Sequence, residues 1–79
     1  MAQELATALV LINSDLGLEQ QLLRELKKIE NVKEAYFLYG LYDIIARVEG
    51  ETMEDVRDTV NRKIRHMANI TSTITLIVM

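Results

Sequence analysis

The apolar positions of this chain switch period several times, and each switch marks an element. Leu5 to Asn13 (LATALVLIN) is short, rich in apolar residues and followed by the turn formers Ser14-Asp15-Leu16-Gly17. Such a run predicts a strand buried on both faces, with Leu9 and Leu11 pointing one way and Val10 and Ile12 the other. From Leu18 to Ile29 the period becomes helical, with Leu18, Leu22, Leu26 and Ile29 in one stripe. Glu19 near its start and Lys27 and Lys28 near its end suit the helix dipole.

Asn31 closes that helix, and Val32 to Tyr39 returns to β character. Gly40-Leu41 fits a two-residue type II′ turn, whose first position needs φ > 0. Tyr42 to Glu49 then forms the antiparallel partner. Tyr42, Ile44, Ala46 and Val48 face one side of it, and Asp43, Ile45, Arg47 and Glu49 the other. After Gly50, Thr52 and Asp55 have the spacing of a capping box. The helix they open carries Met53, Val56, Val60, Ile64 and Met67 on one face, with acidic residues early and Arg62, Lys63 and Arg65 late. Ile70 to Met79 (ITSTITLIVM) is a final strand, β-branched and apolar to its end.

Strand, helix, strand, strand, helix, strand, with right-handed crossovers, predicts one α+β domain over residues 1–79. The arrangement is the ferredoxin-like βαββαβ fold, a four-stranded antiparallel sheet of order 4-1-3-2 with two helices on one face. It puts the doubly apolar first strand in the middle.

Two helices leave the other face of such a sheet bare. The reading puts Ile44, Ala46, Val48, Ile74, Leu76 and Val78 under the helices. The bare face then shows Leu9 and Leu11 or their alternates, with Ile45, Arg47, Thr73, Thr75, Ile77 and Met79. A face so poor in charge marks an interface. The last strand, an edge without charge or proline, invites pairing as well. Size argues the same way, because a chain of 79 residues buries only about 60% of the surface its unfolded form exposes. Without cysteine there is no disulfide or Cys-type zinc site to compensate, and the lone His66 excludes a His-rich one. Self-association, at least a face-to-face homodimer, is the remaining expectation.

Nine basic against twelve acidic residues give a net charge of −3, a poor start for binding a phosphate backbone. No apolar run reaches the roughly 20 residues of a membrane span. The N-terminus MAQELATALV shows no signal-peptide pattern. A cytoplasmic protein that touches neither nucleic acid nor membrane is expected.

Catalytic constellations are nearly absent. No phosphate loop and no nucleophile triad is supported by spacing, and no cofactor is called for. His66 reads as a solvated side chain at a helix end. Asp43 and Glu49 lie six residues apart on a strand, too far to share a proton. The unusual cluster is Tyr39-Gly40-Leu41-Tyr42-Asp43. An aspartate after a tight turn can hold an ammonium while turn N–H groups take a carboxylate, as a free amino acid would require. Equally, Asp43 stabilises the hairpin and the tyrosines are packing. Thr71, Thr73 and Thr75 alternate along the last strand, as ordinary β-formers or as the polar lining of a pocket at a subunit boundary.

The hairpin V-x-x-x-Y-x-x-x-G-x-Y-D (Val32, Tyr36, Gly40, Tyr42, Asp43) and the strand T-x-T-x-I-V (Thr73 to Val78) occur in order with the surrounding elements. Together they resemble the C-terminal effector domain, or RAM domain, of the Lrp/AsnC transcription regulators. The resemblance covers essentially the whole chain. It implies a dimeric α/β-barrel type of ferredoxin-like domain, with dimers assembling into rings and amino-acid effectors bound where dimers meet. Carried over, Gly40 lets the backbone approach the ligand and Asp43 meets its polar group. Tyr39 and Tyr42 wall the pocket, and Thr73 and Thr75 offer hydroxyls. Full-length regulators begin with a helix-turn-helix, which has no counterpart in these residues. The resemblance therefore implies an effector module without its own DNA-binding domain, sensing amino acids or co-assembling with full-length regulators. A cofactor-free enzyme of the dimeric-barrel kind is the third reading.

Overall fold

The computed structural model describes residues 5–79. Residues 1–4, the start of the segment read for a signal sequence, lie outside the described residues. The elements follow the expected order: β1 (Ala6–Ser14), α1 (Glu19–Lys27), β2 (Val32–Phe37), β3 (Ile44–Gly50), α2 (Met53–Asp58) and β4 (Ile70–Val78). One antiparallel sheet has the order β2-β3-β1-β4. This is the ferredoxin-like arrangement, with the apolar β1 in the interior as predicted.

The core forms between the helices and one face of the sheet. Ala8, Val10 and Ile12 of β1 and Ile44, Ala46 and Val48 of β3 are fully buried, beneath Leu22 and Leu26 of α1 and Val56 of α2. Each large aliphatic buried there contributes about 1.5–3 kcal/mol, so this single layer sets most of the stability. Thr52 caps α2 as its spacing predicted, its Oγ1 accepting the Asp55 N–H at 3.1 Å.

Beyond Asp58 the helix widens into a π-helical segment, Thr59–Ile64, where Arg65 N–H donates to the Val60 carbonyl at 2.9 Å. A wider turn rotates less per residue than an α-helix. Val56, Val60 and Ile64, spaced by four, therefore stay aligned inward instead of drifting around the axis. The spacing was legible in the sequence; the wide turn was not.

The hairpin departs from its predicted turn. Phe37 faces Ile44 and Tyr36 faces Ile45, the register a Gly40-Leu41 turn dictates. The strands nevertheless part after Phe37, and residues 38–43 form a six-residue link closed by Leu38 N–H to the Asp43 carbonyl at 2.8 Å.

The last strand is inverted relative to the sequence reading. Ile74, Leu76 and Val78 lie opposite Leu11, Leu9 and Thr7 on the bare face, while Thr73, Thr75 and Ile77 lie opposite Ile12, Val10 and Ala8 on the helix side. Antiparallel partners project to the same face, so pairing with β1 decides the matter. The reading assumed that the most aliphatic set belongs under the helices. In fact α1 packs mainly on β2 and α2 on β3 and β1, which leaves little cover over β4 to attract it.

Candidate functional site

Three loops and strand ends converge at one end of the sheet. Asp43 N–H donates to the Ile12 carbonyl at 2.9 Å, and the Asp43 carboxylate (Oδ2) accepts the Ser14 N–H at 2.9 Å. The hairpin is thereby tied to the end of β1. Gly40 sits at φ +117°, a left-handed conformation that only glycine adopts without strain, and the space beside it is open. Backbone can therefore be approached closely there.

The start of β4 joins the same end. Asn13 Nδ2 donates to Ser72 Oγ and Thr71 Oγ1 to the Asn13 carbonyl, both at 3.2 Å, and Asp15 N–H donates to the Asn69 carbonyl at 2.9 Å. Thr73 and the Asp43 N–H both flank Ile12. Two strand spacings of about 4.8 Å put them roughly 10 Å apart.

The six residues singled out from sequence thus divide. Gly40, Tyr42, Asp43 and Thr73 gather at this end of the sheet, with Tyr42, Asp43 and Thr73 half-buried. Tyr39 projects fully into solvent. Thr75 lies further along β4, beside a groove against α2. Leu16 and Leu41, both almost fully exposed, crown the same loops as Tyr39. The sequence reading passed over Leu16 as part of a turn; its signal was an aliphatic residue between Asp15 and Gly17 with no periodic partner.

The bare face holds a second arrangement. Beside Leu9 and Ile45 lies one ionic network, in which Arg47 Nε donates to Glu34 Oε1 at 2.6 Å and Arg47 Nη1 to Glu49. Tyr36 Oη donates to the other oxygen of Glu34 at 3.1 Å. The Arg47 hydrogen bond, helped by that of Tyr36, holds the Glu34 carboxyl below its usual range. The same contacts push Tyr36 and Arg47 up. A hollow of about 180 Å³ opens between Leu9, Ile45 and the network. Glu34 facing Arg47 across the hairpin was readable from the register and was not read.

Among the described residues no group of three or more His, Asp or Glu side chains is placed to hold a metal. No helix among the described residues is long and apolar enough to cross a membrane.

Residues 7–79 match the profile described as the Lrp/AsnC ligand binding domain. The chain belongs to the Lrp/AsnC family. Comparison with curated proteins gives no match. Among solved structures, FFRP-DM1 superposes with a TM-score of 0.90 at 38% identity, over 94% of this chain and 99% of the other. The hypothetical protein PHS023 from Pyrococcus horikoshii gives 0.88 at 38% identity, over 94% and 89%. The AsnC of E. coli gives 0.86 at 27% identity, and this Lrp/AsnC domain spans half of that chain. The resemblance carried by the G-x-Y-D hairpin and the T-x-T strand is therefore borne out as to family and fold.

Proposed function

We propose that this Lrp/AsnC domain is a regulatory, non-catalytic module that self-associates through the bare sheet face and binds an amino acid at the hairpin end. One observation carries the reading. The side of the sheet away from the helices presents Leu9, Leu11, Ile45, Ile74, Leu76 and Val78, with exposure of 43–49% at the last three. A contiguous aliphatic patch of this kind is typical of an interface. Face-to-face packing of two copies shields both at once, and an isologous dimer needs no second surface.

The loop crown supports the further step to ring-like assembly. Leu16, Tyr39 and Leu41 stand out from the end of the sheet, beside the open backbone at Gly40. Where two such crowns meet, Asp43 supplies an acceptor for an ammonium. Tyr39 and Tyr42 wall the cleft, the backbone at Gly40 approaches the carboxylate, and Thr73 adds a hydroxyl, whereas Thr75 lies too far along β4 to join them. The effector is a free amino acid of the cytoplasm.

Light scattering at micromolar concentration and calorimetry against the twenty amino acids test the two halves. The expected results are a dimer or a multiple of it, and saturable heat from at least one amino acid. A monomer at all concentrations removes the first half; silence at millimolar ligand removes the second.

A further inference from the structure

The charge on the bare face is gathered in one network, and its sum is not zero. Among the described residues β1 and β4 give that face Thr7, Leu9, Leu11, Ile74, Leu76 and Val78, none of them charged. β2 and β3 give it Glu34, Arg47 and Glu49, two carboxylates on one guanidinium, with the Tyr36 hydroxyl beside them. Each copy therefore carries one surplus negative charge there. At the Gly50 end of the sheet, Lys33 shares a cleft with Glu30, Glu51 and Asp55, so that side supplies no compensating positive charge.

While the face is open, water screens the surplus. Facing sheets pack about 10 Å apart, so a second copy replaces that water, and Leu9 and Ile45 already flank the network. An uncompensated charge in such surroundings is costly, and a carboxylate relieves it by taking a proton. Glu49 is placed to do so, because it accepts one hydrogen bond, from Arg47, whereas Glu34 accepts from both Arg47 and Tyr36. We infer that closure of the bare face takes up protons, one per copy at the Glu34–Arg47–Glu49 network, so that acid tightens the assembly. This regulation by pH rests on the self-association proposed above. The sign follows from linkage: the assembled state binds more protons than the separate chains, so association strengthens as pH falls toward the carboxylate range. Histidine is the usual source of such a response, but the one histidine, His66, is exposed beyond the π-helical segment and off this face.

Sedimentation equilibrium of the whole chain reads the effect at constant ionic strength, near neutral pH and roughly one unit above the ordinary carboxylate range. The dissociation constant of the dimer is expected to fall at least tenfold at the lower pH. Glu49→Gln makes the network neutral, and is expected to associate at least tenfold more tightly than the parent near neutrality and to lose the pH response. Glu34→Gln, neutral by the other route, behaves alike. Glu54→Gln removes the same charge from the exposed surface of α2, and His66→Gln removes the histidine; both keep the parent's response. Equal association of the parent at both pH values overturns the inference and leaves self-association standing. A response retained in both network variants, or lost in Glu54→Gln, also overturns it, assigning the effect to net charge. A chain that stays monomeric at both pH values removes the self-association itself, and the regulation with it.

Discussion

Asp43 and Ser14 are joined by a 2.9 Å hydrogen bond from the Ser14 N–H to the Asp43 carboxylate, which extends the junction of β1 and β3 beyond the bond from the Asp43 N–H to the Ile12 carbonyl. Twenty-nine residues separate them in the chain, so the bond holds a long-range junction. The two sequence readings of Asp43, hairpin brace and ligand contact, make different demands on it. A brace needs an oxygen acceptor; an ammonium partner needs a negative charge.

Substitution separates the two. Asp43→Ala leaves the half-buried Ser14 N–H without its partner, at an expected cost of about 1–2 kcal/mol in urea unfolding. Asp43→Asn keeps an acceptor oxygen and is expected to lose less than half of that. If the carboxylate also meets the effector ammonium, Asp43→Asn abolishes the calorimetric signal while the fold persists. Full binding by Asp43→Asn would reduce Asp43 to the brace alone.

Gly50 gives a second, purely steric prediction. A Cβ built there lies 2.8 Å from the Cβ of Asp55 and 3.4 Å from Val56 Cγ2. The obstacle is the rigid root of a side chain in the first turn of α2, not a flexible tip. Gly50→Ala therefore forces the start of α2 away from β3 and is expected to cost about 1–3 kcal/mol, as overpacking does. Thermal unfolding measures it. An unchanged melting temperature would mean that this junction yields without cost.

Gly50 also shows where sequence reading reaches its limit. Its place at a strand end was legible, because a β run stops there and a capping residue follows. Its crowding against Asp55 is a tertiary contact that no local pattern records. The same division holds elsewhere. Strand order followed from local periods and the handedness of crossovers, and Ile44, Ala46 and Val48 were correctly placed inside because β3 alternates cleanly. β4 offered a mixed set, Thr73-Thr75-Ile77, and a wholly aliphatic one, Ile74-Leu76-Val78, and only pairing with β1 decides which faces the helices. Of the candidate site, Gly40 and Asp43 stood out because turn chemistry is local. The Ser14 contact and the exposed Leu16 beside them depend on loops brought together by the fold.

The Glu34–Arg47–Tyr36 network predicts a pH dependence with two arms. Glu34 titrates lower in the folded chain than in the unfolded one, chiefly through its hydrogen bond from Arg47. Its contribution is therefore complete above the unfolded value of about 4.3, and it is lost as pH falls through the depressed folded value. Tyr36 titrates higher when folded, chiefly because it donates to Glu34. Its contribution is complete below the unfolded value of about 10 and lost as pH rises through the folded one. In Arg47→Gln the acid arm of the urea-midpoint profile should flatten and the alkaline arm should largely remain. Parallel profiles for the variant and the parent would sever the network from stability.

The inversion of β4 can be tested by placing one charge on either face of the same strand. Leu76 pairs with Leu9 on the bare face, and its neighbour Ile77 pairs with Ala8 on the helix side. Both are exposed in the single chain, at 48% and 38%, so neither substitution by lysine has to unfold it. If two copies meet through the bare face, Leu76→Lys buries an unpaired ammonium there twice over. At roughly 3–5 kcal/mol for each such uncompensated charge, self-association weakens on the order of ten-thousandfold or more. Ile77→Lys points the ammonium away from the contact and leaves the mass seen by light scattering unchanged. The opposite outcome, dissociation by Ile77→Lys alone, would place the interface on the helix side and remove the reason for a face-to-face dimer.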